Sequence, residues 1–285
     1  MKRLLLQFIA FLAQNPLIGN FFTGRIYDGS LKHLCTPGLN CYSCPAAVTS
    51  CPVGSMQMFL AGVRHNISLY VTGFLLITGV VFGKYICGYV CPMGLVQDLL
   101  YKIRSPKIRT KLKYLSYCKY VILVLFVFVL PLVIRHELSG LGSSWFCQYI
   151  CPSGTIFAAV PLLAVHENLR NELGWFFVIK ASIATAVIFT SIFVYRPFCR
   201  ILCPLGAFYG FFNRIAVFRL HCDSNKCCSS SGCKACENAC DSVINPAQTP
   251  NSPECIRCGD CIKACKSSAL KRSPEIRIKK SKFEI

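Results

Sequence analysis

Cys87-Gly-Tyr-Val-Cys91-Pro92-Met-Gly94 sets two thiols with three residues between them and closes with Pro-x-Gly. The pattern returns at Cys199-Arg-Ile-Leu-Cys203-Pro204-Leu-Gly206 and at Cys147-Gln-Tyr-Ile-Cys151-Pro152-Ser-Gly154. Thiols at i and i+4 project from one face of a helical turn. The proline discourages helix in the residue before it and gives a rigid bend. Each copy therefore presents two soft thiolates side by side, half of a four-thiolate iron–sulfur site. Zinc competes for any such quartet.

A denser set lies near the C-terminus. Cys255-Ile-Arg-Cys258-Gly-Asp-Cys261-Ile-Lys-Ala-Cys265 has the spacing of a bacterial ferredoxin run. Three close thiolates wrap one [4Fe-4S] cube while the fourth reaches a second. Lys266 stands where a proline usually follows, which changes the turn but not the ligands. Cys233-Lys-Ala-Cys236-Glu-Asn-Ala-Cys240 is the matching half. Strict spacing puts its first ligand at Ser230; instead Cys227 and Cys228 precede with a longer gap. The crossing rule assigns Cys227 or Cys228, Cys233, Cys236 and Cys265 to one cube. It assigns Cys240, Cys255, Cys258 and Cys261 to the other.

The chain that must position these thiols has 285 residues, 54% of them hydrophobic, with 21 cysteines and a net charge of +19. Such apolar content excludes a small disulfide scaffold and points to a membrane protein. The positive charge reads as basic loops that orient spans, not as a nucleic-acid surface. Leu4 to Gly24 is uncharged but weakened by Gln7, Gln14, Asn15 and Pro16. It follows Met1-Lys2-Arg3, as a signal peptide would, but no small-x-small cleavage site closes it convincingly. Ile67 to Gly83, Tyr117 to Ile134 and Leu173 to Tyr195 are clearer runs. Gly154 to Val165 is apolar but too short to span, and reads as interfacial or re-entrant. Lys119 is expected to snorkel, and snorkelling is favoured for Lys180 over a functional role.

The expected fold is an all-α polytopic membrane domain of about four transmembrane helices over residues 1–215. An α+β two-cluster ferredoxin domain follows over 216–285. Four spans put both termini on one side, together with the basic residues at 102–113 and Arg196, Arg200, Arg214 and Arg219. The positive-inside rule makes that side cytoplasmic, with the ferredoxin domain on the same face of the inner membrane. Cys87, Cys91, Cys199 and Cys203 then gather at the cytoplasmic ends. Cys147 and Cys151 fall on the outer side, completed by two of Cys35, Cys41, Cys44 and Cys51; Cys41 and Cys44 are preferred. Cys51-Pro-Val-Gly-Ser-Met-Gln57 echoes Cys91-Pro-Met-Gly-Leu-Val-Gln97, a degenerate internal repeat. Cys118 within a span reads as a small apolar residue.

Over roughly residues 60 to 270, on Cys87, Cys91, Cys199, Cys203 and the 233–265 cysteines, the chain resembles the NapH/NosR family of polytopic iron–sulfur proteins. The resemblance implies electron transfer between a membrane quinone pool and other redox proteins, as the electron-transfer subunit of a quinol dehydrogenase or other oxidoreductase complex. The chain departs in its Cys41/Cys44/Cys51 loop, its third Cys-x3-Cys-Pro and its lack of a large flavin domain, which leaves the pathway open. No Walker loop, dinucleotide fingerprint, catalytic triad or haem motif competes. His136 and His166, near span ends, read as solvated loop residues, not as a quinol-site base. Redox sensing and metal or cofactor assembly are the rival classes of function.

Overall fold

The computed structural model describes residues 2–62, 68–110, 112, 114–134, 142–171, 173–228 and 233–273. Lys111, Lys113, His136, Glu137, Glu172 and Ser230 lie outside these ranges. The described chain is mostly helical. Two helices are long and apolar enough to cross a membrane, Leu115–Val133 and Trp175–Phe193. At 1.5 Å per residue each reaches about 28 Å, close to the thickness of a bilayer's apolar layer. Pro131 lacks the N–H that would continue an α-helical ladder, and Leu123–Val129 just before it widens into a π-helical stretch.

Three shorter apolar helices join them: Arg3–Gln14, Leu69–Phe82 and Pro152–Val165. The run from Leu4 to Gly24 is not one continuous span. Its helix ends at Gln14, and a single turn, Asn20–Thr23, follows beyond Pro16. The polar residues explain why. Buried Gln7 donates to the Gly88 carbonyl at 3.0 Å and to Asp98 at 2.9 Å, and Gln14 donates to the Val90 carbonyl at 2.9 Å. The opposite face exposes Leu5, Leu6, Phe8 and Ile9. The helix is thus polar inward and apolar outward, the reverse of a helix on a water-soluble core.

The bundle interior is one apolar cluster that takes in Cys35, Cys44, Cys51, Cys87, Cys91, Cys151, Cys199 and Cys203. The inner and outer thiol pairs, expected at opposite ends of the spans, therefore share a single core. The segment from Cys35 to Cys51 achieves this by folding back into the bundle. The Tyr209 hydroxyl donates to the Pro37 carbonyl at 3.0 Å, and Cys35 and Ser50 close the segment's base as a parallel bridge.

The tail is bracketed by strands Arg219–Cys222 and Leu270–Ser273, antiparallel, with Cys222 opposite Leu270. Between them, short helices Ala235–Asn238 and Asp260–Ala264 pack on one another. Each half-motif ends in the same turn. The N–H of Val243 closes on the Cys240 carbonyl and that of Ser268 on the Cys265 carbonyl, and both Val243 and Ser268 have positive φ. The turn after Cys265 thus forms with Lys266 in the proline's place.

The tail is docked tightly. Asn213 Nδ2 donates to the carbonyls of Ser252 and Cys255, both at 2.8 Å, and Arg257 caps the carbonyls of Phe82 and Asn213. Arg109, from the basic loop, donates to the carbonyls of Asn238 and Cys240. Lys119 does not snorkel to water. It is fully buried and pairs with Glu254 of the tail, which also meets Lys84 at 3.4 Å.

Candidate iron–sulfur sites

In the Cys87 and Cys199 copies, a short helical turn carries the first cysteine and a new helix starts at the second. Cys91 caps the helix Pro92–Tyr101 and Cys203 caps Pro204–Phe212, each with proline at the first helical position. The glycine after Pro-x has a steric cause. A Cβ at Gly94 would stand 2.8 Å from the Cys87 carbonyl oxygen, and one at Gly206 2.9 Å from that of Cys199. Only glycine lets each helix pass so close to the turn before it.

These turns bring four thiols together. Cys203 faces Cys199, Cys87 and Cys91, and Cys87 faces Cys91 and Cys199. Gln97, fully buried, accepts from the Phe198 N–H at 3.2 Å and donates to Cys199 Sγ at 3.1 Å. The Gly206 N–H points at Cys203 Sγ at 3.3 Å. Buried Arg196 donates to the Cys87 carbonyl at 2.5 Å and is held by Asp98. Burial alone would raise the Asp98 pKa, but Arg196 and Arg3 outweigh it and hold the carboxyl down at about 2.

A second quartet copies the first. Cys51 caps the helix Pro52–Ala61 as Cys91 caps its own. Gln57, fully buried, accepts from the Phe146 N–H at 2.9 Å and donates to Cys147 Sγ at 3.3 Å, which reproduces Gln97, Phe198 and Cys199. Cys147 faces Cys151, Cys51 and Cys41. The structure thus gathers Cys41, Cys51, Cys147 and Cys151. Cys44, preferred from the sequence, turns its thiol to Asn15 Oδ1 at 3.7 Å. The repeat puts Ala47 where Cys87 stands in the other half, and Cys41 supplies the missing thiol from the loop. Lys180 does not simply reach for the surface. Its ammonium lies 3.2 Å from where a Cβ on Gly154 would be, and its charge acts on Cys41, Cys147 and Cys151.

In the tail, Cys240, Cys255, Cys258 and Cys261 line one small cavity. The other side is less tidy. Cys236 faces Cys227 and Cys265, and Cys233 pairs with Cys228 at the exposed edge. Cys222, left over by the sequence spacing, joins Cys227, Cys236 and Cys265 there. Its place at the end of a strand brings it in, and no spacing rule reports that. Cys118 is exposed, His166 is exposed with Nε2 3.4 Å from the Gly24 carbonyl, and Cys35 lies against Ser50.

The donor sets fit iron–sulfur cubes. They are thiol-only, backed by amide donors aimed at sulfur.

Comparison with known proteins bears on the same residues. A 4Fe-4S binding domain matches three times, over residues 67–111, 120–165 and 176–221. The chain belongs to this 4Fe-4S binding family. Each match takes in one complete Cys-x3-Cys-Pro motif, so the three copies read from the sequence are three copies of the family's unit. An uncharacterized protein of Methanocaldococcus jannaschii is 32% identical over 202 residues, 67% of this chain and 72% of that one. The methylamine utilization ferredoxin-type protein MauN of Paracoccus denitrificans is 29% identical over 202 residues, 68% of this chain and 60% of its own. The regulatory protein NosR of Stutzerimonas stutzeri is 26% identical over 186 residues, 61% of this chain but 22% of its own. No solved structure matches.

Proposed function

We propose that the protein is a membrane electron conduit in which four [4Fe-4S] cubes form one line. The outer cube is held by Cys41, Cys51, Cys147 and Cys151, and the inner by Cys87, Cys91, Cys199 and Cys203. The third is held by Cys240, Cys255, Cys258 and Cys261. The fourth, at the far side of the tail, takes Cys236 and Cys265 with two of Cys222, Cys227, Cys228 and Cys233. Cubes supply one-electron transfer when bound. The residues around them fix position and potential: Gln57 and Gln97 by hydrogen bonds to sulfur, and Lys180, Lys84 and Arg196 by positive charge that favours the reduced forms.

One contact carries this reading. A Cβ on Gly88 would lie 2.5 Å from the Ile256 carbonyl oxygen, and the Tyr89 hydroxyl donates to the Cys258 carbonyl at 3.0 Å. The backbone between Cys87 and Cys91 thus packs directly on the backbone between Cys255 and Cys258. An electron has a short protein path from one quartet to the next, with no mobile carrier between them.

On the membrane side, the proposal places both termini and the tail on the cytoplasmic face. It is supported by the contact of Arg109 with the tail and by Arg3, 3.8 Å from Asp260. Apolar side chains exposed along Trp175–Phe193 suit lipid. Soluble redox proteins and a membrane quinone pool are the proposed partners. Anaerobically purified protein is expected to contain about sixteen irons, four per cube. Cys87→Ser and Cys51→Ser should each remove one low-temperature EPR signal of the reduced protein and about a quarter of the iron, whereas Cys44→Ser should remove neither. Iron confined to the tail would refute the proposal.

A further inference from the structure

Asn40 stands out among the buried polar residues. Its side chain is 0% exposed, and neither Oδ1 nor Nδ2 has a hydrogen-bond partner in the protein. An amide sealed from water with all its hydrogen bonds unmade is strongly unfavourable unless it meets a further group. Where Asn40 sits says which group. On one side, the Leu39 N–H points at Cys91 Sγ at 3.5 Å, and a Cβ on Gly38 would stand 3.0 Å from Cys91 Cα. On the other, Cys41 is itself one of the outer thiols, and Ser153, between Cys151 and Gly154, donates to the Leu39 carbonyl at 3.4 Å. Three consecutive residues therefore touch both quartets.

This deepens the conduit reading and rests on it: we infer that Leu39–Asn40–Cys41 is the electron path between the inner and outer cubes, and that the Asn40 amide, which reaches no cysteine sulfur, would donate to inorganic sulfur of a bound cube and set the potential at which the pair exchanges. The path is one N–H···S contact and two residues of chain, at most about 7 Å of backbone. Spans with a cube at each end would instead separate the pair by about 30 Å of hydrocarbon. The exchange balances by itself: one electron leaves one cube as the other gains it, and no proton or third reactant is needed. The amide's role follows from charge. A donor at sulfur stabilises the reduced, more negative form, so its removal lowers the potential.

The test uses the full-length protein, purified anaerobically and reduced with dithionite, with iron assay and EPR redox titration. In the wild type, the outer and inner signals should be split by mutual spin interaction. Cys87→Ser should collapse the splitting of the outer signal and leave that of the tail pair. Asn40→Leu should keep all its iron, shift the midpoint of at least one membrane-domain signal downward and leave the tail midpoints in place. Unchanged midpoints with iron retained would overturn the role of Asn40. If Asn40→Leu loses iron, Asn40→Ser, a smaller donor, should keep it with a partial downward shift; no shift would overturn the role equally. An outer signal with no splitting would overturn the path. A separate result, Cys51→Ser with iron and signals intact, would mean that the outer cube itself is absent.

Discussion

Gln57 and Gln97 make the same two-point contact in two places. Each carbonyl oxygen takes the N–H of the phenylalanine before a cysteine, and each amide nitrogen reaches that cysteine's sulfur. A buried glutamine so fully used orients a ligand and tunes it together. Gln97→Leu should lower the midpoint of the inner EPR signal alone, and Gln57→Leu that of the outer signal alone, with iron content preserved. A redox titration followed by EPR separates the two. The match was legible in the sequence, because Cys51–Gln57 echoes Cys91–Gln97 at the cysteine, proline, glycine and glutamine. What the echo did not reveal was its consequence for Cys51. The spacing rule looks for two thiols in one helical turn, and Ala47 breaks that turn. Cys41 enters from a loop whose path depends on Tyr209 and Ser153, residues more than a hundred positions away. Cys222 escaped for the same reason, since strand pairing with Leu270 brings it into reach.

The recurring element is a helix, a turn bearing the first thiol, and a second helix capped by the other thiol. Its parts were readable from Cys-x3-Cys-Pro-x-Gly. The spans were less so. A hydropathy run does not distinguish a lipid-crossing helix from one whose glutamines brace a neighbouring turn, and Arg3–Gln14 is the second kind. Gly88 lies inside one such turn at the seam with the tail. Gly88→Val would drive a side chain into the Ile256 carbonyl, so the tail must shift. The expected result is retained iron, faster release of the tail by limited proteolysis, and weaker spin interaction between the inner and tail signals.

For the molecule as a whole, the decisive charges are few. Glu254 meets both Lys84 and Lys119. Removing one partner from such a buried arrangement typically costs about 3–5 kcal/mol. Glu254 is itself partly open to solvent, so Glu254→Gln should fall at or below the low end, about 3 kcal/mol. Thermal unfolding of the detergent-solubilised protein would read it as a drop in midpoint, whereas Glu237→Gln, half-buried and in no ion pair among the described residues, should leave it in place.

The same carboxylate dictates an order of assembly. Both lysines emerge from the ribosome well before residue 254, and inside the bundle neither has another carboxylate among the described residues. They must wait beside water or lipid headgroups until the second half of the tail is made and folded. Maturation therefore runs backward along the chain: a segment synthesised after the helices is the one that lets their lysines stay buried.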